Sequence, residues 1–595
     1  MMRRGRLVEL RADTAEKAGV DNPPFFSVCA HRRAFNMMSN APFDITAGKP
    51  VFADPKLREI AASAGLSAAW KAAFGANGSA AASAVSGAFA VGVTTPGGKV
   101  FLAVDRFAIE SLCYRIVDGQ LRFARRAGEL ADAATPLNPQ ALFDYLYFHV
   151  IPSPRTVWQG VHRLPPGHCA VFENGQLDIK PYWTPEFNSN GAIAPFNELK
   201  DRFRNLLKDS VARELGHHAK AACFLSGGTD SSTVAGMIGL ATGHAAATYS
   251  IGFEAAGYDE MAFARLAAKH FGTQHHEYYV TPEDLIHSIP EVAVHYDQPF
   301  GNSSAVPAYY CARMARDDGV TRILAGDGGD ELFGGNSRYA KERIFGWYDK
   351  IPQALRSAVD PLFALQAVSS TPLLGKVSSY IRQAKVPMPD RMQSYNLLER
   401  LGVHTVLTPG FLRQVDTGAP QAHQRAVWPQ AKADSLLDRQ LAFDWRYTLA
   451  ENDLPKVCGT TQLAGIEVGF PMLDAQLLAF SMQLPPAYKL KGLKLRWFFK
   501  EALRGFLPDE IITKKKQGFG LPFGVWAHQH AGLNTLARSS LRGLAGRGIV
   551  EPAFITTLLD ERLAEHPGYY GEMIWILMML EQWLQRHAPD YKCPA

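Results

Sequence analysis

Ser226-Gly227-Gly228-Thr229-Asp230-Ser231-Ser232 is the stretch on which the reading of this chain turns. The five residues before it, Ala221-Ala222-Cys223-Phe224-Leu225, form a short apolar run of the kind found in buried strands. The residues after it, Thr233-Val234-Ala235-Gly236-Met237-Ile238, read as the start of a helix. A glycine pair between strand and helix lets backbone N–H groups close around an anion, with the helix N-terminus behind them. No lysine follows the glycines as in GxxxxGK[ST], and the spacing is not GxGxxG. For Ser-Gly-Gly alone a polar turn is the plainer account. The Asp and Ser that follow, and a second motif downstream, favour a nucleotide loop.

That second motif is Leu324-Ala325-Gly326-Asp327-Gly328-Gly329-Asp330-Glu331-Leu332-Phe333-Gly334-Gly335, again after a strand-like run, Thr321-Arg322-Ile323-Leu324. Glycine backbone permits close approach to a ligand, and nearby carboxylates suit Mg²⁺ on phosphate. An acidic surface turn explains the acids but not the repeated placement after a strand. In an open α/β sheet such loops meet at the carboxyl edge of the strands.

The order of LSGGTDSS, YSIGF (Tyr249 to Phe253), DQPFGNSSAVP (Asp297 to Pro307) and LAGDGGDELFGG resembles asparagine synthetase-type ATP-dependent ligases. Gly465-Ile466-Glu467-Val468-Gly469-Phe470-Pro471-Met472-Leu473-Asp474 resembles that family's GLEVRVPFLD, and Lys514-Lys515-Lys516-Gln517-Gly518-Phe519-Gly520-Leu521-Pro522 its RxKQGFxxP. The resemblance implies cleavage of ATP between the α and β phosphates, with ATP and Mg²⁺ as cofactors. It implies that Ser226, Gly227, Gly228 and Ser231 cradle pyrophosphate and that Asp230 and Asp330 hold Mg²⁺. Backbone at Leu225, Ile251 and Gly326 would hold adenosine. Lys516 would face the charge developing in adenylation and amide formation. Asp327 stands where these enzymes usually carry Glu, and the resemblance implies that it helps orient or deprotonate the incoming amine.

The same resemblance implies a fold of α/β and α+β parts. Residues 1–190 would form a glutaminase-like (Ntn-type) αββα sandwich. Residues 191–595 would form an α/β ATP-pyrophosphatase synthetase domain with a largely helical C-terminal part. Gly87 to Val91 and Val100 to Arg106 read as strands of the first sheet. The family's glutaminase, however, uses a cysteine exposed as the first residue, whose α-amine serves as base. Here the chain begins Met1-Met2-Arg3-Arg4, and Cys29 is internal and not followed by glycine. The NGEIYN segment is absent, and Phe123-Ala124-Arg125-Arg126 stands where the family has FASE. The scaffold thus reads as kept and the hydrolytic site as lost. Relatives with a disabled glutaminase domain include lasso-peptide cyclases and β-lactam synthetases, which close a ring on an amine within the substrate. Lys494 to Lys500 and the Gly-Phe-Gly-Leu-Pro-Phe-Gly-Val-Trp segment read closest to the peptide cyclases. The expected partner is therefore a small-molecule or peptide substrate, with a precursor peptide and its leader-processing protein. An asparagine synthetase or amidotransferase using ammonia, and a non-enzymatic scaffold in a biosynthetic complex, remain the alternatives. Intact SGGTDS and DGGDE argue against the scaffold.

Composition fits a globular enzyme: 47% apolar, 20% charged, net charge +5 over 595 residues. That charge is too small to imply nucleic acid, and no nucleic-acid motif is present. Seven cysteines occur without CxxC, so neither a disulfide framework nor zinc is indicated. There is no apolar signal core and no run near the roughly 20 residues that span a bilayer, so the expectation is a cytoplasmic protein. Thr184 to Pro195 has a linker composition, Phe196 to Leu215 an amphipathic helical pattern, and Tyr569 to Arg586 that of a core helix.

Overall fold

The structure is a computed structural model that describes residues 44–188, 194–216, 220–349, 352, 380–515 and 520–594. The N-terminal part is built on antiparallel strands. A five-stranded sheet runs in the order β1 (Ile45–Gly48), β4 (Phe89–Thr94), β5 (Val100–Val104), β9 (His168–Glu173), β10 (Gln176–Pro181). A two-stranded ribbon of β2 (Val51–Phe52) and β3 (Val85–Ser86) flanks it, and β7 (Gln120–Ala124), β6 (Cys113–Val117) and β8 (His162–Arg163) form a three-stranded sheet. Alternation along β4 and β5 explains the layering. Phe89, Val91 and Phe101 turn one way, onto Trp70 and Phe74 of helix α1 (Pro55–Asn77). Ala90, Leu102 and Val104 turn the other way, onto Tyr114 and Leu121 of the three-stranded sheet. The described residues thus stack helix, sheet, sheet.

The C-terminal part is an α/β unit. Its sheet has the order β13 (Gln274–Val280), β12 (Ala247–Phe253), β11 (Ala222–Phe224), β14 (Arg322–Leu324), β15 (Glu467–Gly469), with every pairing parallel. The chain lays β12 and β13 on one side of β11, then β14 and β15 on the other. The order therefore reverses between β11 and β14, and the crevice at such a reversal is where open α/β sheets bind ligands. The loops after β11 and β14 are the two glycine-rich motifs. Helices α3 (Phe196–Leu215), α4 (Thr229–Thr242), α5 (Met261–Phe271), α6 (Pro282–His295) and α7 (Ala305–Asp317) belong to this unit. Beyond it the chain is mainly helical, ending in Pro567–His587, whose Met573 to Leu580 run is buried throughout.

The stretch expected to be a linker is partly clamped. Glu186 pairs with Lys432 in a parallel bridge, and Phe187 is buried. Among the described residues no helix is long and apolar enough to cross a membrane.

Candidate active site

Leu225 continues β11 by donating its N–H to the Tyr249 carbonyl at 2.9 Å. The chain then turns at Gly227, whose φ of +68° is left-handed, and a Cβ there would strike the backbone of Phe263 and Ala264. Ser226 and Ser231 close the loop: their hydroxyls lie 3.0 Å apart, and the Ser226 N–H donates to Ser231 Oγ at 3.1 Å. Thr229 to Asp230 begin α4, so the positive end of its dipole points at the turn. The second loop, which runs into the short helix α8 (Gly329–Phe333), packs directly on the first. A Cβ on Gly326 would lie 2.9 Å from the Ser231 nitrogen, so only glycine permits this approach.

The residues expected to hold metal converge. Arg496, buried at 5% exposure, reaches both carboxylates from one guanidinium nitrogen, 2.6 Å from Asp230 Oδ2 and 2.7 Å from Asp330 Oδ1. Its second terminal nitrogen contacts Asp230 Oδ1, and the first also donates to Thr229 Oγ1 at 2.9 Å. The guanidinium lies 3.9 Å from the Phe499 ring centroid. Burial works against its charge, but Asp230 and Asp330 outweigh that and hold its pKa above the ordinary arginine value. The residue sits at φ +55°, a left-handed backbone that arginine adopts only at a cost.

Asp327 is partly buried beside Lys456, whose Nζ is 3.8 Å from its Oδ1 and 3.3 Å from Asp453 Oδ1. Burial pushes the Asp327 carboxyl up to about 6, with Lys456 opposing. Burial also weakens the Lys456 charge, yet Asp453 and Asp327 hold its pKa above the usual range. Asp453 ends a π-helical stretch, Trp445–Asp453, that runs into the helix Leu454–Ala464. Such widened turns are frequent at functional sites.

The segment from Asp297 is braced by the N-terminal part. Ala127 and Gly128 donate backbone N–H groups to Asp297 at 2.5 and 3.1 Å, and Arg126 donates to the His295 carbonyl at 2.6 Å. Arg125 pairs with Glu110. Of the arginine pair standing in place of FASE, Arg126 thus ties the two parts together, while Arg125 pairs within the N-terminal part.

Of the sequence-derived residues, the structure gathers Ser226, Gly227, Gly228, Asp230, Ser231, Gly326, Asp327 and Asp330 at one crevice. The carbonyl of Leu225 accepts from Ser250 Oγ, and Ile251 lies in β12, paired in register with Tyr278. Lys516 lies outside the described residues, as do Met2 and Cys29. The neighbouring lysines differ from one another: Lys514 is largely enclosed, 2.9 Å from Glu260 and 4.3 Å from the Phe263 ring centroid, whereas Lys515 is exposed. Lys514 is therefore not a solvated member of a uniform basic cluster. Arg496, Lys456 and Asp453 were not singled out from sequence. A basic residue immediately before the aromatic run Trp497-Phe498-Phe499 was the available signal for Arg496.

The asparagine synthase family model matches residues 202–585, and the model of the glutamine amidotransferase domain matches residues 70–183. Asparagine synthetase (glutamine-hydrolyzing) 1 of Bacillus subtilis (strain 168) is 24% identical over 81% of this chain and 74% of its own length. A putative asparagine synthetase (glutamine-hydrolyzing) of Mycobacterium bovis is 26% identical over 82% of this chain and 74% of its own. Amidase chyE of Penicillium rubens is 25% identical over 71% of this chain and 68% of its own.

Proposed function

Because the chain belongs to the asparagine synthase family of ATP-dependent amide-forming ligases, we propose that it activates a carboxylate as an acyl-adenylate and passes the acyl group to an amine of the same substrate. The observation that carries the adenylation reading is the meeting of SGGTDS and DGGDE at the sheet reversal, with Asp230 and Asp330 sharing Arg496. The substrate carboxylate oxygen attacks the α-phosphorus, and the bond to the β-phosphate breaks as pyrophosphate leaves. The amine nitrogen then attacks the acyl carbon, the C–O bond to AMP breaks, and an amide forms.

The chain's own groups suit these steps. The backbone turn at Ser226 to Gly228 and the start of α4 bind the leaving phosphates. Arg496 orients both carboxylates. Lys516 supplies a fixed cation toward the developing charge. Asp327, held near pH 6 by burial, is poised to accept a proton from the amine. Asp230 and Asp330, which converge on Arg496, offer the hard oxygen donors that Mg²⁺ takes and would hold it together with phosphate oxygens. Bound there, it would neutralise triphosphate charge.

The intramolecular acceptor rests on the glutaminase-like part. NGEIYN is missing, and Arg125-Arg126 are committed to Glu110 and to the His295 carbonyl. An amine tethered to the activated carboxylate gains from proximity. The product is a macrolactam between a peptide's N-terminus and an Asp or Glu side chain, with a precursor peptide and its processing protein as partners. The test is mass spectrometry of the peptide encoded beside this gene after incubation with ATP and Mg²⁺. Loss of one water without ammonia supports cyclisation. Conversion of aspartate and ammonium to asparagine would instead favour the reading supported by the named activity of the Bacillus and Mycobacterium relatives.

A further inference from the structure

The enclosed carboxylates of this protein share a pattern. Asp438 is paired with Lys489 at 2.7 Å, Glu581 with Arg547 at 2.6 Å, Asp444 with Arg338 at 2.6 Å and Glu342 with Arg391 at 3.1 Å. Asp105 has no such cation but accepts four backbone N–H groups, from Phe89, Phe107, Ile109 and Glu110. Glu572, part-buried rather than fully enclosed, has no paired cation among the described residues. It lies on the same helix as Glu581, two residues before the fully buried Ile574 and Trp575. Its one hydrogen-bond partner among the described residues is Ser303, whose Oγ is 3.4 Å from Oε2. The nearby Tyr145 hydroxyl is already spent, donating to the Ile576 carbonyl at 2.8 Å. Burial pushes the Glu572 carboxyl up to about 7, with Ser303 opposing. A carboxylate drawn out of water with neither a cation nor a set of backbone donors is unfavourable, and a cationic ligand would relieve it.

Position says which ligand. α7 runs down to the start of β14, and the helix Leu454–Ala464 runs down to the start of β15, so both begin at the carboxyl edge that carries the phosphate loops. Ser303 stands just before α7. Its neighbour Asn302 donates Nδ2 to Asn452 Oδ1 at 2.8 Å, beside Asp453, Lys456 and Asp327. Through Ser303, Glu572 is therefore tied to the end of α7 that lies at the carboxyl edge of the sheet. At the other flank, Gly571 packs on Gly524 so closely that a Cβ would lie 3.0 Å from the Gly524 nitrogen. This brings the start of the helix Pro567–His587 against the segment that follows the KKKQGF motif.

We propose that Glu572 and Ser303 form the seat for the protonated primary amine of the acceptor, a reading that rests on the ligase assignment above. An ammonium group donates to the open carboxylate oxygen and to Ser303 Oγ, and thereby supplies the kind of cation that Asp438, Glu581, Asp444 and Glu342 already have. The seat selects an alkylammonium over a neutral alcohol of equal size.

The test uses the full chain and n-propylamine, followed by saturation-transfer NMR, with n-propanol and n-propylguanidine as comparison probes. ATP affinity is measured by calorimetry on the same samples. The expected result is binding of propylamine, no binding of propanol, and a loss of roughly tenfold in propylamine affinity in Glu572→Gln, the size expected for removing a charged hydrogen-bond partner. Glu572→Asp and Ser303→Ala should retain intermediate affinity, and all variants should bind ATP as the parent does. Equal propylamine binding in parent and Glu572→Gln overturns the proposal, as does equal binding of propanol. Preference for propylguanidine replaces the primary amine with a guanidinium and overturns the stated class. Failure of the parent to bind ATP refutes the ligase reading instead, and leaves the amine measurement to be judged separately.

Discussion

Replacing Arg496 by methionine removes one charge and keeps most of the side-chain volume. In the structure that charge is shared by Asp230 and Asp330 at 2.6 and 2.7 Å and is itself 5% exposed. Removing one member of a buried ion pair costs about 3–5 kcal/mol, because the partner keeps its desolvation cost. The carboxylates are about a fifth exposed (20% and 21%), which argues for the lower end. For a chain of this size, about 3 kcal/mol corresponds to a melting shift of about 3 °C. The left-handed backbone at position 496 contributes nothing to this difference, since methionine bears the same strain. The distinctive expectation is its dependence on ligand. Mg²⁺ with ATP returns positive charge to the same carboxylates, so it should raise the melting temperature of Arg496→Met more than that of the parent. Differential scanning fluorimetry with and without Mg²⁺·ATP measures both shifts. A variant that melts with the parent in the absence of ligand, or that gains no more from Mg²⁺·ATP, would refute the view that Arg496 balances a metal-binding carboxylate pair.

Asp230→Ala and Asp330→Ala should each lower turnover by several kcal/mol in the transition state, read from kcat/KM with Mg²⁺ saturating. Asp327 has a folded pKa of about 6, above the unfolded value of about 3.9. The native state therefore binds the proton more tightly, and stability from this group is full below about pH 4 and is lost as pH rises through 6. Asp327→Asn should flatten that part of the stability–pH curve by about 2–3 kcal/mol, measured by denaturant titration at pH 4 to 7; an unchanged slope contradicts the burial assigned to it. The three adjacent lysines should separate. Lys516→Ala should abolish product with little effect on folding. Lys514→Ala should destabilise by about 1–2 kcal/mol through its pair with Glu260, and Lys515→Ala should stay within about 0.5 kcal/mol. Similar turnover in all three would remove Lys516 from the site.

Much of the nucleotide unit was legible because its signals are local. An apolar run, a glycine turn and an apolar helix follow one another at residues 221–238, and that succession makes a strand, a loop and α4. The helix Phe196–Leu215 coincides with its amphipathic pattern, since Leu199, Phe203, Leu207 and Val211 fall on one buried face. What local pattern could not convey was pairing across hundreds of residues. Arg496 meets Asp230 and Asp330 only through the fold, and the Lys456 contact with Asp327 depends on the helix Leu454–Ala464 lying beside α7. Likewise Lys514 looks like one of three solvated lysines until Glu260 and Phe263 enclose it. The linker composition at residues 184–195 is polar for most of its length, yet Phe187 finds a buried place against the helical part.

The meeting of the two glycine loops at the sheet reversal implies above all that ATP is cleaved between its α and β phosphates. Phosphorus NMR of a reaction containing the chain, Mg²⁺, ATP and the peptide encoded beside its gene reads the products directly. AMP and pyrophosphate should appear in equal amounts, only when the acceptor-bearing substrate is present, and should be lost in Asp330→Ala. Release of ADP and inorganic phosphate as the sole products would contradict that site of cleavage.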